Sequence, residues 1–255
     1  LPFDIAENYD QYFASQLYDQ RYPRPNPSCL ALIMDEMRQQ GNRILDFGCG
    51  NGRYTAPLLE RTDATLVAYD ISPEAIRELS QRQASHIESG RLQPVLGDLT
   101  ALRQATESSK RFDLAIMMFG VLGHIFPQTL RQEALTTLRD LLRPGGRLIV
   151  TVPNAGRRFL KEQAVARRRG LEPGDILYRR RANDRTINMY YHLYTLEEFQ
   201  QELEQTGFHL VRLRAESVLP ESGVVKSMPL HWLDRLLIPV TPLRYAYGFL
   251  AVVET

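Results

Sequence analysis

The stretch Ile44-Leu45-Asp46-Phe47-Gly48-Cys49-Gly50-Asn51-Gly52-Arg53-Tyr54 constrains this chain most. A short apolar run holding one acid leads straight into three alternating glycines, and an apolar-periodic segment follows. That order predicts a strand over 43–47, a tight turn and a helix start. Glycines are needed where φ is positive or where a ligand lies against bare backbone. The helix that follows offers unpaired N–H groups at its start. About twenty residues on, the run Leu66-Val67-Ala68-Tyr69 ends in Asp70. An acid at the tip of a second strand suits the hydroxyls of a ribose. Together these features predict a nucleoside-containing cofactor.

The pattern repeats down the chain. Leu30, Ile33, Met34 and Met37 form one face of a helix stopped by Gly41. Ser72-Pro73-Glu74 reads as a capped helix start, with Ile76 and Leu79 on its inner face. Strands are expected over Leu92–Leu96, Phe112–Phe119 and Arg147–Val152. A helix over Gln128–Leu142 is expected to bury Leu130, Ala134, Leu138 and Leu141, and Pro144-Gly145-Gly146 to turn the chain into the fifth strand. Alternating buried strands and helices predict a parallel sheet with helices on both faces.

A dinucleotide site would want G-x-G-x-x-G; here the spacing is G-x-G-x-G. The D-x-G-C-G-x-G form resembles the first motif of class I S-adenosylmethionine (SAM)-dependent methyltransferases. Val95-Leu96-Gly97-Asp98, Phe112–Phe119 and Leu142–Val150 resemble the third-strand, fourth-strand and fifth-strand motifs, in order, over roughly residues 40–155. The resemblance implies an α/β, doubly wound, Rossmann-like fold with a seven-stranded, mostly parallel sheet whose last strand is antiparallel beside strand five. It implies SAM as cofactor. Gly48, Cys49 and Gly50 would then let the backbone meet the methionine half, and Asp46 would order that loop. Asp70 and Ile71 would flank the ribose, Asp98 would bind the adenine amino group, and Leu99 and Phe119 would lie beside the cofactor. Many family members carry a polar residue where this chain has Gly120. His124 matches a frequent family histidine and is the candidate general base, against a structural reading at a helix start.

Four regions are expected: an aromatic lid segment over 1–27, a SAM-binding core over 28–155, a basic α+β insertion over 156–195, and completion of the sheet over 196–255. In the first, Tyr9, Tyr18, Tyr22 and Arg24 are candidate contacts to cofactor or substrate, and Pro23-Arg24-Pro25-Asn26-Pro27 closes the segment. The insertion carries ten Lys or Arg against four Asp or Glu. A hairpin of Ile176–Arg181 and Arg185–Tyr194 around Ala182-Asn183-Asp184 is expected there. Arg179 and Tyr191 are its candidate substrate contacts. Beyond it, Thr195 and Glu198 form a capping box, Phe199 and Leu203 an inner face, Phe208–Leu213 a strand, 228–242 a packed excursion with one helix, and Tyr247–Val253 the final strand.

The net charge is +1, so no global field argues for nucleic acid. Two cysteines, Cys29 and Cys49, make no disulfide framework and fit a cytoplasmic setting. No metal-ligand spacing and no transmembrane run are visible. The chain opens on Leu1, and whether a leader precedes it stays open. The reading is methyl transfer to an oxygen or nitrogen of a small molecule, anionic if the basic insertion faces it. One alternative is a tRNA methyltransferase of wobble-uridine type, which Met189-Tyr190-Tyr191-His192 loosely resembles. The other is a SAM-binding regulatory protein without catalysis. Acceptor and oligomeric state are not legible.

Overall fold

Apolar runs with no polar alternation need cover on both faces, and the chain provides it. A computed structural model describes residues 4–108, 111–182 and 185–255. The strands are β1 (Arg43–Phe47), β2 (Thr65–Asp70), β3 (Leu92–Leu96), β4 (Phe112–Met117), β5 (Leu142–Pro153), β6 (Asp175–Ala182), β7 (Arg185–His192), β8 (His209–Ser217) and β9 (Gly248–Glu254). Seven form one sheet in the order β3-β2-β1-β4-β5-β9-β8. The first five are parallel, and β9 lies antiparallel between β5 and β8. β6 and β7 form a separate antiparallel hairpin. Asn183 and Asp184 of its expected turn lie outside the described residues.

The helices are α1 (Ile5–Ala14), α2 (Leu17–Arg21), α3 (Pro27–Gln40), α4 (Thr55–Arg61), α5 (Pro73–Arg82), α6 (Ala84–Glu88), α7 (Leu99–Thr106), α8 (Val121–His124), α9 (Gln128–Leu141), α10 (Leu160–Arg168), α11 (Leu196–Gln205), α12 (Glu221–Val224) and α13 (Met228–Leu237). Strand residues alternate between two cores. Leu45, Val67, Ala115 and Val150 pack with Leu102, Leu138 and Phe199 on one side. Ile44, Leu66, Leu114 and Ile149 pack with Ile33, Leu58 and Leu79 on the other. Ser72 caps its helix as expected, while at Thr195 only the hydroxyl half of the expected box is made, because the Glu198 carboxylate meets His192 Nε2 instead.

Four expectations need correction. β5 starts at Leu142, not Arg147, because Leu142 pairs with Phe112 before a register shift absorbs Pro144-Gly145-Gly146. β8 runs on to Ser217, since β9 pairs with it all the way to Gly248. In α9 the inner face is turned by one residue: Arg131, Ala134, Leu135 and Leu138 are buried, while Leu130 is exposed. Arg131 goes inside because Glu202 accepts from its Nε at 3.3 Å and Tyr190 Oη lies 3.3 Å from another guanidinium nitrogen. Finally, 228–242 is not a packed excursion; most of its apolar side chains are exposed.

The N-terminal segment is fixed over the β1–β2 half. Asp10 Oδ1 accepts from Ser72 Oγ at 3.0 Å and from the Glu74 N–H at 2.7 Å, at the start of α5. Asn51 Nδ2 donates to Asp19 Oδ1 at 2.8 Å. The hairpin is fixed through His192, whose Nδ1 meets Asp175 Oδ1 at 2.6 Å and Nε2 meets Glu198 Oε1 at 2.8 Å. Burial alone would lower its pKa, but these two carboxylates raise it. A histidine raised in the folded state contributes stability fully below its unfolded pKa of about 6.5, and that contribution is lost as pH rises through the folded pKa. His192→Leu is therefore expected to lose about 3–5 kcal/mol at pH 6, because two carboxylates lose their buried partner. At pH 9 the loss is smaller. Urea midpoints at the two pH values check this, and equal losses would refute it.

Candidate functional site

In open α/β sheets ligands bind beyond the carboxyl ends of the strands, where the strand order reverses. A cavity of about 480 Å³ lies there, at the ends of β1, β2 and β4, roofed by α1 and α2. At one end it is lined by Gly48, Gly50, Asp70, Ile71, Asp98, Leu99 and Phe119. At the other it is lined by Tyr9, His124, Arg158, Tyr178, Arg180, Tyr191 and Glu221, with Tyr18 and Tyr22 also on the wall.

The glycine loop is an anchored turn. Gly48 and Cys49 donate their N–H groups to the Tyr69 carbonyl at 2.8 and 3.0 Å, and Gly50 donates to Asp70 Oδ2 at 2.8 Å. These N–H groups are spent on β2, so the loop presents its bare Cα face to the cavity instead of donors. Gly48 has φ +73°, and a Cβ there would sit 2.6 Å from Val121 Cγ1. Only glycine fits that approach. Asp70 also accepts from the Ser72 N–H at 2.9 Å, and burial pushes its pKa up. A carboxylate has about four lone-pair sites, so Asp70 keeps acceptor capacity beside the cavity it lines. Asp98 lines the cavity while its Oδ1 caps α7 through the Ala101 N–H at 3.0 Å.

Two of the expected cofactor contacts stand behind the loop. Asp46 is buried, accepts from Thr55 Oγ1 at 2.6 Å, and does not line the cavity. Burial pushes its pKa up to about 7. It ties β1 to the start of α4 across the glycine loop. Cys49 is buried in the core below the loop with its thiol pushed up by burial, and it too faces away. Two expected substrate contacts also lie elsewhere. Arg24 donates to the Val225 and Lys226 carbonyls at 2.6 and 3.0 Å, so it pins the chain after α12. Arg179 points outward, because alternation along β6 puts Tyr178 and Arg180 on the cavity side.

His124 lies in the cavity wall, stacked on Tyr191 at 3.9 Å with Tyr9 edge-on at 5.2 Å. Its Nδ1–H donates to the Tyr190 carbonyl at 3.0 Å, which leaves Nε2 as an acceptor. Burial drives its pKa down to about 3, so the imidazole is neutral at physiological pH and a weak base. Phe119 adopts φ +65°, a left-handed conformation costly for a side chain of that size, and Gly120 follows at φ +70°. The Gly120 N–H is held by Thr151 Oγ1 at 3.1 Å. A Cβ at Gly120 would collide with the Tyr191 hydroxyl. A phenol from β7 thus occupies the place where the sequence offered no polar side chain.

The wall holds a buried charge cluster that the sequence reading missed. Arg53 packs against the Phe119 ring at 3.8 Å, Tyr18 at 4.5 Å and Tyr22 at 5.0 Å, and its guanidinium nitrogens have no hydrogen-bond partner among the described residues. Arg158 lies over Tyr247 at 4.8 Å and Tyr191 at 5.4 Å. Burial opposes its charge, while the rings of Tyr191 and Tyr247 and the nearby carboxyls of Glu221 and Glu216 favour it. Burial raises both of those acids, Glu221 to about 7. The position of Arg158 just past β5 was a usable signal, and so was period-two alternation for Arg180. Nothing local in the sequence marks Glu221.

Comparisons with known proteins agree with this fold. A family model described as a methyltransferase domain matches residues 17–213. An uncharacterized methyltransferase of Anoxybacillus flavithermus is 28% identical over 57% of this chain and 64% of its own length. A ubiquinone biosynthesis O-methyltransferase of Caulobacter sp. is 33% identical over 50% of this chain and 46% of its own length. The chain thus spans less than two thirds of these relatives. The CcbJ methyltransferase from Streptomyces caelestis superposes with a TM-score of 0.68, at 17% identity over 99% of both chains. The 1,6-didemethyltoxoflavin-N1-methyltransferase of Burkholderia thailandensis, solved with 1,6-didemethyltoxoflavin and S-adenosylhomocysteine, superposes at 0.61, with 21% identity over 98% of this chain and 88% of that one.

Proposed function

The chain belongs to the class I SAM-dependent methyltransferase family, and on that premise we propose that it methylates an oxygen or nitrogen of a small, anionic, aromatic molecule. The observation that carries this reading is the pairing of Arg158 and Arg180 with Tyr9, Tyr178, Tyr191 and His124 in one cavity wall. Aromatic faces take a flat ring, and guanidinium groups take a carboxylate or phosphate. The names of its relatives include transfer to oxygen and to nitrogen.

SAM, when bound, supplies a methyl group already activated on a sulfonium. The residues fit it: Asp70 and Asp98 for the ribose and adenine, the bare faces of Gly48 and Gly50 and the rings of Tyr22 and Phe119 for the rest. The buried guanidinium of Arg53 packs against these rings and adds positive charge to this side of the site. On the acceptor side, a neutral His124 Nε2 accepts an O–H or N–H hydrogen bond and orients the nucleophile. The roof of α1 and α2 covers the cavity. Alignment and desolvation are most of what such a transfer needs.

Arg180→Gln is expected to raise KM for an acidic acceptor about tenfold, since one charge-assisted hydrogen bond contributes about 1.5–3 kcal/mol. Arg179→Gln, outside the cavity, is expected to leave KM unchanged. Transfer of labelled methyl from SAM to acidic phenols and N-heterocycles, against their neutral esters, checks this. Equal KM for acid and ester would sink the anionic reading. Salt-sensitive transfer to RNA that depends on Arg179 and Arg181 would replace it with the tRNA reading.

A further inference from the structure

Helix α13 is polarised the wrong way round for a packing helix. It buries His231 and Asp234 and exposes Trp232 at 54%, Leu233 at 46% and Leu236 at 71%. Beyond its end, Val240 is exposed at 75%. The buried side has a structural purpose: Asp234 Oδ1 accepts from the Val218 and Leu219 N–H groups at 2.8 Å each. That anchor fixes which face looks outward. A contiguous exposed apolar face of this kind marks an interaction surface.

The charges around the face identify its partner. Between 218 and 247 the only acids are Glu221 and Asp234, and both are buried. The cations of the same stretch, Lys226, Arg235 and Arg244, are exposed. Arg235 lies over the Trp232 ring at 5.4 Å and Arg244 over the Tyr245 ring at 4.8 Å. Aromatic rings beside cations, on the rim of an apolar face, match the headgroup boundary of an anionic bilayer. A second copy is a poorer occupant, because a two-fold contact of this stretch would set its cations against themselves with no exposed acid of 218–247 to answer them.

We propose that α13 docks this protein on an anionic lipid surface, with Trp232, Leu233 and Leu236 entering the headgroup–acyl boundary and Lys226, Arg235 and Arg244 meeting the headgroups. The helix lies in the interface; no helix among the described residues is long and apolar enough to cross a membrane. α12, which carries the cavity residue Glu221, connects directly to α13, so docking brings the cavity wall near the lipid.

Trp232 is the chain's sole tryptophan, so its fluorescence reports this face alone. The full chain is titrated with phosphatidylcholine–phosphatidylglycerol vesicles and with phosphatidylcholine vesicles. The mixed vesicles are expected to shift Trp232 emission to the blue and shield it from acrylamide, and the neutral ones to do so less. Leu233→Ser with Leu236→Ser is expected to weaken partitioning about tenfold or more. Arg235→Gln is expected to weaken it only on the anionic vesicles. These side chains lie outside the cavity, so unchanged S-adenosylhomocysteine binding certifies the fold of each variant. Wild-type emission and quenching that ignore mixed vesicles would overturn the proposal. So would a blue shift without lipid that follows protein concentration as the mass doubles, which would assign the face to a second copy. The readout does not depend on turnover, so it stands or falls apart from the acceptor reading.

Discussion

Asp70→Ala is expected to weaken SAM binding by roughly 10–100-fold, since charge-assisted hydrogen bonds contribute about 1.5–3 kcal/mol each. Asp70 does two things from one position. It lines the cavity at the tip of β2, and it holds the glycine loop and the start of α5 through the Gly50 and Ser72 N–H groups at 2.8 and 2.9 Å. Alanine removes the ligand-facing acceptor and leaves two N–H groups to find other partners, so stability drops as well. Asp70→Asn separates the two roles: its amide oxygen can keep one N–H bond, while its NH2 turns a donor toward ligand hydroxyls. Calorimetry with S-adenosylhomocysteine is the check. Unchanged affinity in both variants would remove Asp70 from the cofactor site. Affinity is also expected to fall as pH drops through the Asp70 pKa, which burial raises, because the protonated acid loses acceptor capacity.

How much of this was legible depended on whether the signal was local. The glycine loop, Asp70, Asp98 and the order of β1 to β5 are local motifs, and the structure puts all of them at one rim of the sheet. Local reasoning failed where a side chain answers a distant one. Arg131 fits an outward position on α9 until Glu202 and Tyr190 arrive from elsewhere in the chain. Glu221 follows a proline in an apolar stretch, and only the approach of Arg53 and Arg158 makes it tolerable inside. α13 inverts the usual rule because Asp234 has backbone donors to cap at the end of β8. Arg179 and Arg180 are a different case. Alternation along the hairpin was available from the sequence, and it selects Arg180 with Tyr178 once Ile176 is placed on the buried side.

Arg158→Gln is expected to act on both substrate affinity and folding, and the two effects can be separated. If Arg158 receives the acceptor's anion, its loss raises KM roughly 10–100-fold through a charge-assisted contact. Its loss also takes a nearby cation away from two buried carboxyls, Glu216 and Glu221, so folding free energy falls as well. The folding cost depends on pH with a definite sign. Glu221 titrates at about 7 with Arg158 in place, and removing a cation moves it higher. At pH 6 the two acids take up protons and the cost is small. Above pH 7 they must either ionise without Arg158 or be protonated at the expense of folding free energy, so the deficit against wild type grows as pH rises. Glu221→Gln added to Arg158→Gln removes one of the two acids and is expected to restore most of the stability, read from urea midpoints at pH 8. It supplies no cation to the cavity, so KM for an acidic acceptor is expected to stay high. If KM recovers together with stability, Arg158 serves only to neutralise Glu216 and Glu221, and the anionic-acceptor reading loses the residue that carries it.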